Sequence, residues 1–196
     1  GAGGATIKGS SASAAGITLP SAGKNITSSG DVTFTGISTA GSFIDGISLG
    51  GVFTATSGTL TFDGTAGATG AYGIENGVSG AFGASVSTFG NVVFKGTGGT
   101  TRNSDINIGG ISGNGTVTLI GRAKGLNTVG TFTASGGLPY NVVILTTTGG
   151  INGLLGAGTD TTGNGNYTVN SASNVVLGGR TINAGTGTVS LTSVAG

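Results

Sequence analysis

Short alternations of apolar and polar residues, punctuated by glycine, run the length of the chain. The phrases "GDVTF" (30–34), "GTLTF" (58–62), "GNVVF" (90–94), "GTVTL" (115–119) and "GTVSL" (187–191) are versions of one another. Aligned, they set up an apolar column of Val32, Leu60, Val92, Val117, Val142, Val175 and Val189. Two residues on lies a second column: Phe34, Phe62, Phe94, Leu119, Ile144, Leu177 and Leu191. A turn or hydroxyl residue precedes each pair, namely Asp31, Thr59, Asn91, Thr116, Asn141, Asn174 and Thr188. Between the apolar positions stand Thr33, Thr61, Val93, Thr118, Val143, Val176 and Ser190, which a strand turns to its other face. Period two predicts strands, and β-branched and aromatic residues separated by Gly, Asn and Asp suit strands joined by turns. Glycine interrupts nearly every potential helical window, at a cost of about 1 kcal/mol each relative to Ala.

A similar phrase returning every ~20–50 residues is the mark of a solenoid. Secondary phrases fall between the main ones: "AGITL" (15–19), "GSFID" (41–45), "DINIGGI" (105–111), "VGTFTAS" (129–135), "YTV" (167–169) and "RTINAG" (180–185). Each repeat then holds two or three short strands. The expected fold is all-β, a right-handed parallel β-helix of about six to seven irregular coils, forming one domain over residues 1–196. Equivalent strands would stack about 4.8 Å apart, with apolar columns inside and glycine at the corners. The spacing is uneven, and the short step from Leu177 to Leu191 suggests two strands of one coil. A hairpin sandwich or barrel is the rival. Its type I′ turn signals are present at Asp45-Gly46, Asp63-Gly64, Asn76-Gly77, Asn114-Gly115 and Asn152-Gly153, but these dipeptides serve equally as solenoid corners.

Composition sharpens this picture. Of 196 residues, 45 are glycine and only 7% are charged, against a usual ~25% charged. Disordered chains pair low hydrophobicity with high charge, whereas this one is 36% hydrophobic and patterned. Collagen is excluded by the absence of a three-residue glycine period and by a proline count of 2. The net charge of +1 is scattered without a basic stripe, which argues against nucleic-acid binding. The densest apolar run, Val142–Leu145, is far short of the ~20 residues of a membrane span. Abundant Thr, Ser, Asn and Gly with no Cys suit a secreted bacterial surface protein, a processed product or a piece of a longer chain.

At these phrases the chain resembles the filamentous-haemagglutinin-type β-helical exoproteins, secreted adhesins of Gram-negative bacteria, and the autotransporter passengers that share their repeat. The stretch "NVVLGGRTINAGTGTVSLTS" (174–193) carries the likeness best, and "GDVTFTG" and "GTVTLIG" fit the same G-x-V-x-L template. The resemblance implies a shaft or stalk segment and transfers no binding residue.

Candidate chemistry is sparse. The six acids are Asp31, Asp45, Asp63, Glu75, Asp105 and Asp160, none adjacent in sequence. Asp31 and Asp63 read as turn residues, Asp63 at a strand end before Gly64. A carboxylate pair at the ~5–9.5 Å of a glycosidase would have to meet across coils. With no His and no Cys, catalytic triads, thiol nucleophiles and the usual zinc sites are absent. "GTGGT" (96–100) and "GLLGAG" (153–158) lack the phosphate-loop pattern, and "DTTGNGN" (160–166) lacks the acids of a calcium loop. The sequons at Asn25, Asn114 and Asn166 follow from the abundance of Asn and Thr. Arg102, Arg122, Lys124 and Arg180 are the candidates for contact with an anionic glycan, and "GRAKG" (121–125) reads as an exposed corner.

The expectation is therefore a protein that is not an enzyme, with no catalytic, cofactor or metal site. It would be an extracellular shaft or fibre subunit, without nucleic acid and without membrane insertion. No capping segment reads from "GAGGATIKG" or "SLTSVAG", so its ends would meet a longer parent chain or stack on identical rods. Glycan or host-surface contact is a possible further partner. The alternative is an ice- or glycan-binding module using the Thr-x-Thr pairs Thr33/Thr35, Thr59/Thr61, Thr116/Thr118 and Thr131/Thr133, although Val93, Val143 and Val176 break a regular threonine array. Those outward valines are expected to be covered within the chain or by a neighbour.

Overall fold

A computed structural model describes residues 4–19, 25–50, 52–76, 85–88, 90–126, 128–152 and 158–194. Every regular element among them is a strand, and every strand pairing is parallel. The chain is a parallel β-solenoid. A long 8-stranded sheet runs from Ala5–Ser11 to Val189–Ser193, beside a 5-stranded second sheet and a 7-stranded third sheet. One coil shows the plan: Val32–Ser38 lies in the long sheet, Ile47–Leu49 in the second and Val52–Ala55 in the third, before Thr59–Thr65 returns to the long sheet. Cross-coil bonds connect residues 28, 32, 25 and 22 apart, so the coil shortens toward the C-terminal end.

The long sheet keeps the predicted columns with one correction. Val32, Leu60, Val92, Val117 and Val142 stack in register, but the next members are Tyr167 and Val189. Likewise Phe34, Phe62, Phe94, Leu119 and Ile144 are followed by Val169 and Leu191. Val175 and Leu177 do not belong to these columns. Val175–Val176 pairs instead with Ile151–Asn152 in a separate 2-stranded sheet. Tyrosine at the column position hid the phrase "YTV" behind a more valine-rich neighbour. Moving the column there replaces the longest and shortest steps with two ordinary ones. Ile7, paired with Phe34, adds a coil at the other end. "GSFID" is also not a strand: residues 41–45 form a corner.

The interior is a stack of like on like. Phe34, Phe62 and Phe94 lie nearly parallel at 5.4 and 5.2 Å, and Phe53 meets Phe62 edge-on at 5.2 Å. The second sheet adds Ile17, Ile47, Ile74 and Ile106, one above another. Along the strands burial alternates, as in Thr59–Thr65, whose Leu60, Phe62 and Gly64 face inward.

Gly64 belongs to a further column, Gly9, Gly36, Gly64, Gly96 and Gly121, two residues past the phenylalanine column. Here the long sheet is drawn against the backbone that opens the second sheet. A Cβ on Gly64 would lie 2.0 Å from the Gly73 carbonyl oxygen, and one on Gly36 would lie 2.5 Å from that of Gly46. Past Gly121 the same register position is taken by Thr146, Ser171 and Ser193. Their hydroxyls become part of the seam: Thr146 donates to the Gly149 carbonyl at 3.0 Å, Ser171 to that of Asn174 at 3.1 Å, and Ser193 to that of Ser173 at 2.6 Å.

Gly64→Ala is expected to destabilise the fold by more than about 2 kcal/mol, because the atom it meets is backbone and cannot rotate away. Gly41→Ala, with nothing within 4 Å of its added carbon, stays within about 0.5 kcal/mol of the parent. Urea midpoints of the two variants check the difference.

Candidate functional site

The six acids lie in the structure as five distinct arrangements. Asp31 is a turn residue, as expected, and its Oδ1 accepts the Thr59 N–H of the next coil at 2.8 Å. Asn141 and Asn166 stand at the same column position and do the same for the N–H groups of Asn166 and Thr188. The sequon asparagine Asn166 is thus a rung-to-rung hydrogen-bond acceptor.

Asp63 departs from its reading as a strand-end residue. It lies inside Thr59–Thr65, faces outward, and forms a two-toothed ion pair with Arg122 at 2.8 and 3.2 Å. The pair spans two coils, and both side chains keep about a third of their exposure, so it contributes little to stability. Arg122, a candidate glycan contact, is occupied by it. The corner 121–125 is half-buried rather than open, because it wraps a carboxylate. Oδ2 of the fully buried Asp105 accepts the N–H groups of Ala123, Lys124 and Gly125, each at 2.9 Å, while its Oδ1 accepts Gly98 at 2.7 Å. Three successive amides converging on one oxygen form an anion nest, here filled by the chain's own side chain.

Asp160 and Arg180 sit inside the solenoid, and Arg180 is therefore excluded as a surface glycan contact. Asp160 occupies an inward position in the third sheet, next in the column to Ile182. Its Oδ1 accepts the Phe132 N–H at 2.9 Å and Arg180 Nη1 at 3.1 Å, and its Oδ2 accepts the Tyr167 hydroxyl at 2.8 Å. Arg180 Nη2 donates to the Val129 carbonyl at 2.7 Å. Burial pushes the Asp160 carboxyl up, against the lowering effect of the Phe132 amide, the Tyr167 hydroxyl and Arg180. Burial, then the Asp160 charge, raise the Tyr167 phenol. Sequence patterning missed this cluster because Asp160 reads as part of a polar loop, "DTTGNGN". The available signal was Thr-x-Thr around it at 159–161, the outward residues of a strand.

The fifth arrangement is the one carboxyl pair that meets across coils. Asp45, nearly buried, hydrogen-bonds the half-buried Glu75 and accepts the Tyr72 N–H at 2.9 Å. Glu75 also accepts Asn107 Nδ2 at 3.3 Å, one coil further on. Burial first, and then the Glu75 carboxyl, push Asp45 up to about 8. Arg102, another glycan candidate, lies exposed over the Phe43 ring at 5.3 Å and the Tyr72 ring at 5.9 Å. The sequence holds a signal for this pair. The phrases "AGIT", "DGIS", "YGIE" and "SDIN" align on the isoleucine column, which sets Glu75 beside Ser48, three residues from Asp45.

Among the described residues no three His, Cys, Asp or Glu side chains gather to hold a metal ion. Residues 153–157 of "GLLGAG" lie outside the described residues. No family model, curated protein or solved structure matches the chain.

The Asp160–Arg180 pair yields a thermodynamic cycle. Asp160→Leu alone leaves a buried guanidinium without its carboxylate and is expected to cost about 3–5 kcal/mol, while Asp160→Leu with Arg180→Met recovers most of that loss. Equilibrium denaturation of both variants and the parent measures it. A double variant no better than the single would show that the pair is not what the site needs.

Proposed function

We propose that the chain is a non-catalytic structural protein of the bacterial cell surface, a β-solenoid shaft or fibre subunit of an adhesin-like filament. The observation that supports this best is where the acids are directed. Asp31, Asp45, Asp105 and Asp160 each accept a backbone N–H from an adjoining coil, and Asp63 is paired across two. These contacts join coil to coil, and the Asp45–Glu75 pair likewise bridges two coils.

The edges of the long sheet agree with that reading. Among the described residues, Ala5–Ser11 and Val189–Ser193 are each paired on one side only. The end members of the phenylalanine column, Ile7 and Leu191, are each 46% exposed. One more coil, from further chain or from a second copy, would pair these edges and cover these side chains. At about 4.8 Å per coil, the two edge strands are about 35 Å apart.

A threonine-lined face favours a second reading, an ice- or glycan-binding module. In the third sheet Thr159 lies on Thr181, Thr133 on Thr161, and Thr161 on Asn183. Thr131 precedes Thr133 by two residues, so hydroxyls occupy both outward positions over successive coils. The long sheet lacks this regularity, since the half-buried Val93 and Val143 interrupt its threonines.

Negative-stain electron microscopy of the purified chain over a concentration series tests the main reading. Straight filaments of constant width that lengthen with concentration identify a fibre subunit, and discrete short rods at every concentration identify a shaft segment. Compact particles without elongation would sink it. For the second reading, thermal hysteresis and glycan-array binding are compared between the parent and Thr159→Lys. Activity lost in that variant and kept in Thr33→Lys would assign the third-sheet face, and no activity in the parent removes the reading.

A further inference from the structure

Three neighbouring coils depart from the rest at one corner. Between the long sheet and the second sheet the chain passes through residues 39–46, 66–73 and 98–105. The same passage takes only residues 12–16, 147–150 and 172–174 in other coils, and 122–125 where Leu126 bridges to Ile151. The long corners are stacked and bonded into one ridge. The Ala71 N–H donates to the Ile44 carbonyl at 3.0 Å, the Thr100 N–H to that of Ala68 at 2.9 Å, and the Gly99 N–H to that of Ala71 at 2.9 Å. Other coils close without such length, so the extra residues are surface added to the rod, the kind of segment that carries binding groups.

Two side chains mark the outer side of this ridge. Phe43 is 65% exposed and holds a φ of 65°, a left-handed conformation that bulky residues rarely adopt. Neither feature serves the core: the ring lies outside it, and glycine would take that backbone without strain. Arg102, also exposed, places its guanidinium 5.3 Å from the Phe43 ring centroid and 5.9 Å from that of Tyr72. The two rings orient the cation, and among the described residues no hydrogen bond or ion pair uses its N–H groups. The acids of the three corners are turned away. Asp45 is nearly buried on the Tyr72 N–H, and the fully buried Asp105 is held by the amides of Gly98 and residues 123–125. Glu75, in the adjoining strand, is half-buried and accepts Asn107 Nδ2. Arg102 is therefore the one charged side chain of these corners that is exposed, and Ser42, Thr69 and Thr100 are exposed on the same corners.

We propose that this ridge binds a saccharide bearing a carboxylate. The guanidinium edge pairs with the carboxylate through two parallel N–H···O bonds, a geometry that the planar fork of arginine matches and an ammonium does not. A single cation suits a single carboxylate, whereas a polyphosphate chain is gripped by several cations together. The sugar also carries C–H groups, which pack on the exposed part of the Phe43 ring, and hydroxyls, for which Ser42, Thr69 and Thr100 are donors and acceptors. A shaft needs no ligand on its side, so this site goes beyond the structural role and is present whether or not rods assemble.

Saturation-transfer NMR of the intact chain titrated with hexagalacturonate tests the site, and it reads rods and filaments alike. Maltohexaose, a neutral sugar, and hexaglutamate, an anion without a sugar ring, are the controls. Hexagalacturonate should bind about tenfold or more tightly than either. Arg102→Lys keeps the charge and loses the fork, and should weaken binding by about tenfold or more at an unchanged melting temperature. Phe43→Gly removes the ring and suits the backbone, so it should melt no lower than the parent while binding falls by about tenfold or more. That split separates a binding ring from a structural one, and if Phe43→Gly melts lower, Arg102→Lys decides alone. Either control bound as tightly as hexagalacturonate, no binding of hexagalacturonate at all, or full binding in either variant would overturn the site.

Discussion

Everything in this solenoid depends on how closely two sheets approach along the glycine seam. Gly36, Gly64 and Gly96 let the long sheet lie against the backbone that opens the second sheet, where any Cβ would meet a carbonyl oxygen well inside contact distance. That approach sets the width of the coil. It also brings the isoleucine column of the second sheet into one core with the phenylalanine column. A larger residue at the seam would push the sheets apart and leave the aromatic stack without a wall, with the cavity cost that accompanies lost contact in close-packed interiors. At these seam positions glycine answers a specific steric demand rather than a need for loose chain.

Past Gly121 the seam changes chemistry. Thr146 and Ser171 are buried and lie 3.2 Å apart through their hydroxyls, and Ala172 donates its N–H to the Thr146 hydroxyl at 3.0 Å. A hydroxyl side chain fits only where it can replace a backbone contact with a hydrogen bond, and each of these has done so. In the same C-terminal coils Asp160 and Tyr167 stand where earlier coils have apolar residues, and Arg180 stands on Gly158. The shorter coils of this region are thus held by polar cross-links more than by stacked rings.

The strands and their parallel stacking were legible because period-two alternation and a recurring phrase are properties of the residues alone. The coil boundary after Val142 was not. Tyr167 buries a large ring like its aliphatic column-mates, but "YTV" is a poorer match to the phrase than "NVV", and only pairing between coils tells them apart. The seam was half-visible, since every "FTG", "FDG", "FKG" and "LIG" carries its glycine at one offset, yet that glycine reads as a corner until the opposing backbone is seen. The acids were readable one at a time and not as sets. Asp45 and Glu75 meet only when two different columns are aligned together, and Asp160 meets Arg180 as a diagonal neighbour on the adjoining strand, visible only once Gly158 is set against Arg180.

Scarce charge then acquires a specific role in the register. The apolar columns are so alike that sliding one coil by a full repeat exchanges Val for Leu or Phe for Leu at modest cost, and register in such sheets is otherwise weakly specified. The polar groups do not repeat. Only one coil offers three amides to Asp105, only one carries an arginine that reaches Asp160, and only one presents Glu75 to Asp45. A slipped pairing would bury Arg180 or Asp160 without its partner, a penalty of about 3–5 kcal/mol that no rearrangement of valines offsets. In a fold whose hydrophobic pattern says only that coils stack, these few carboxylates determine which coil stacks on which.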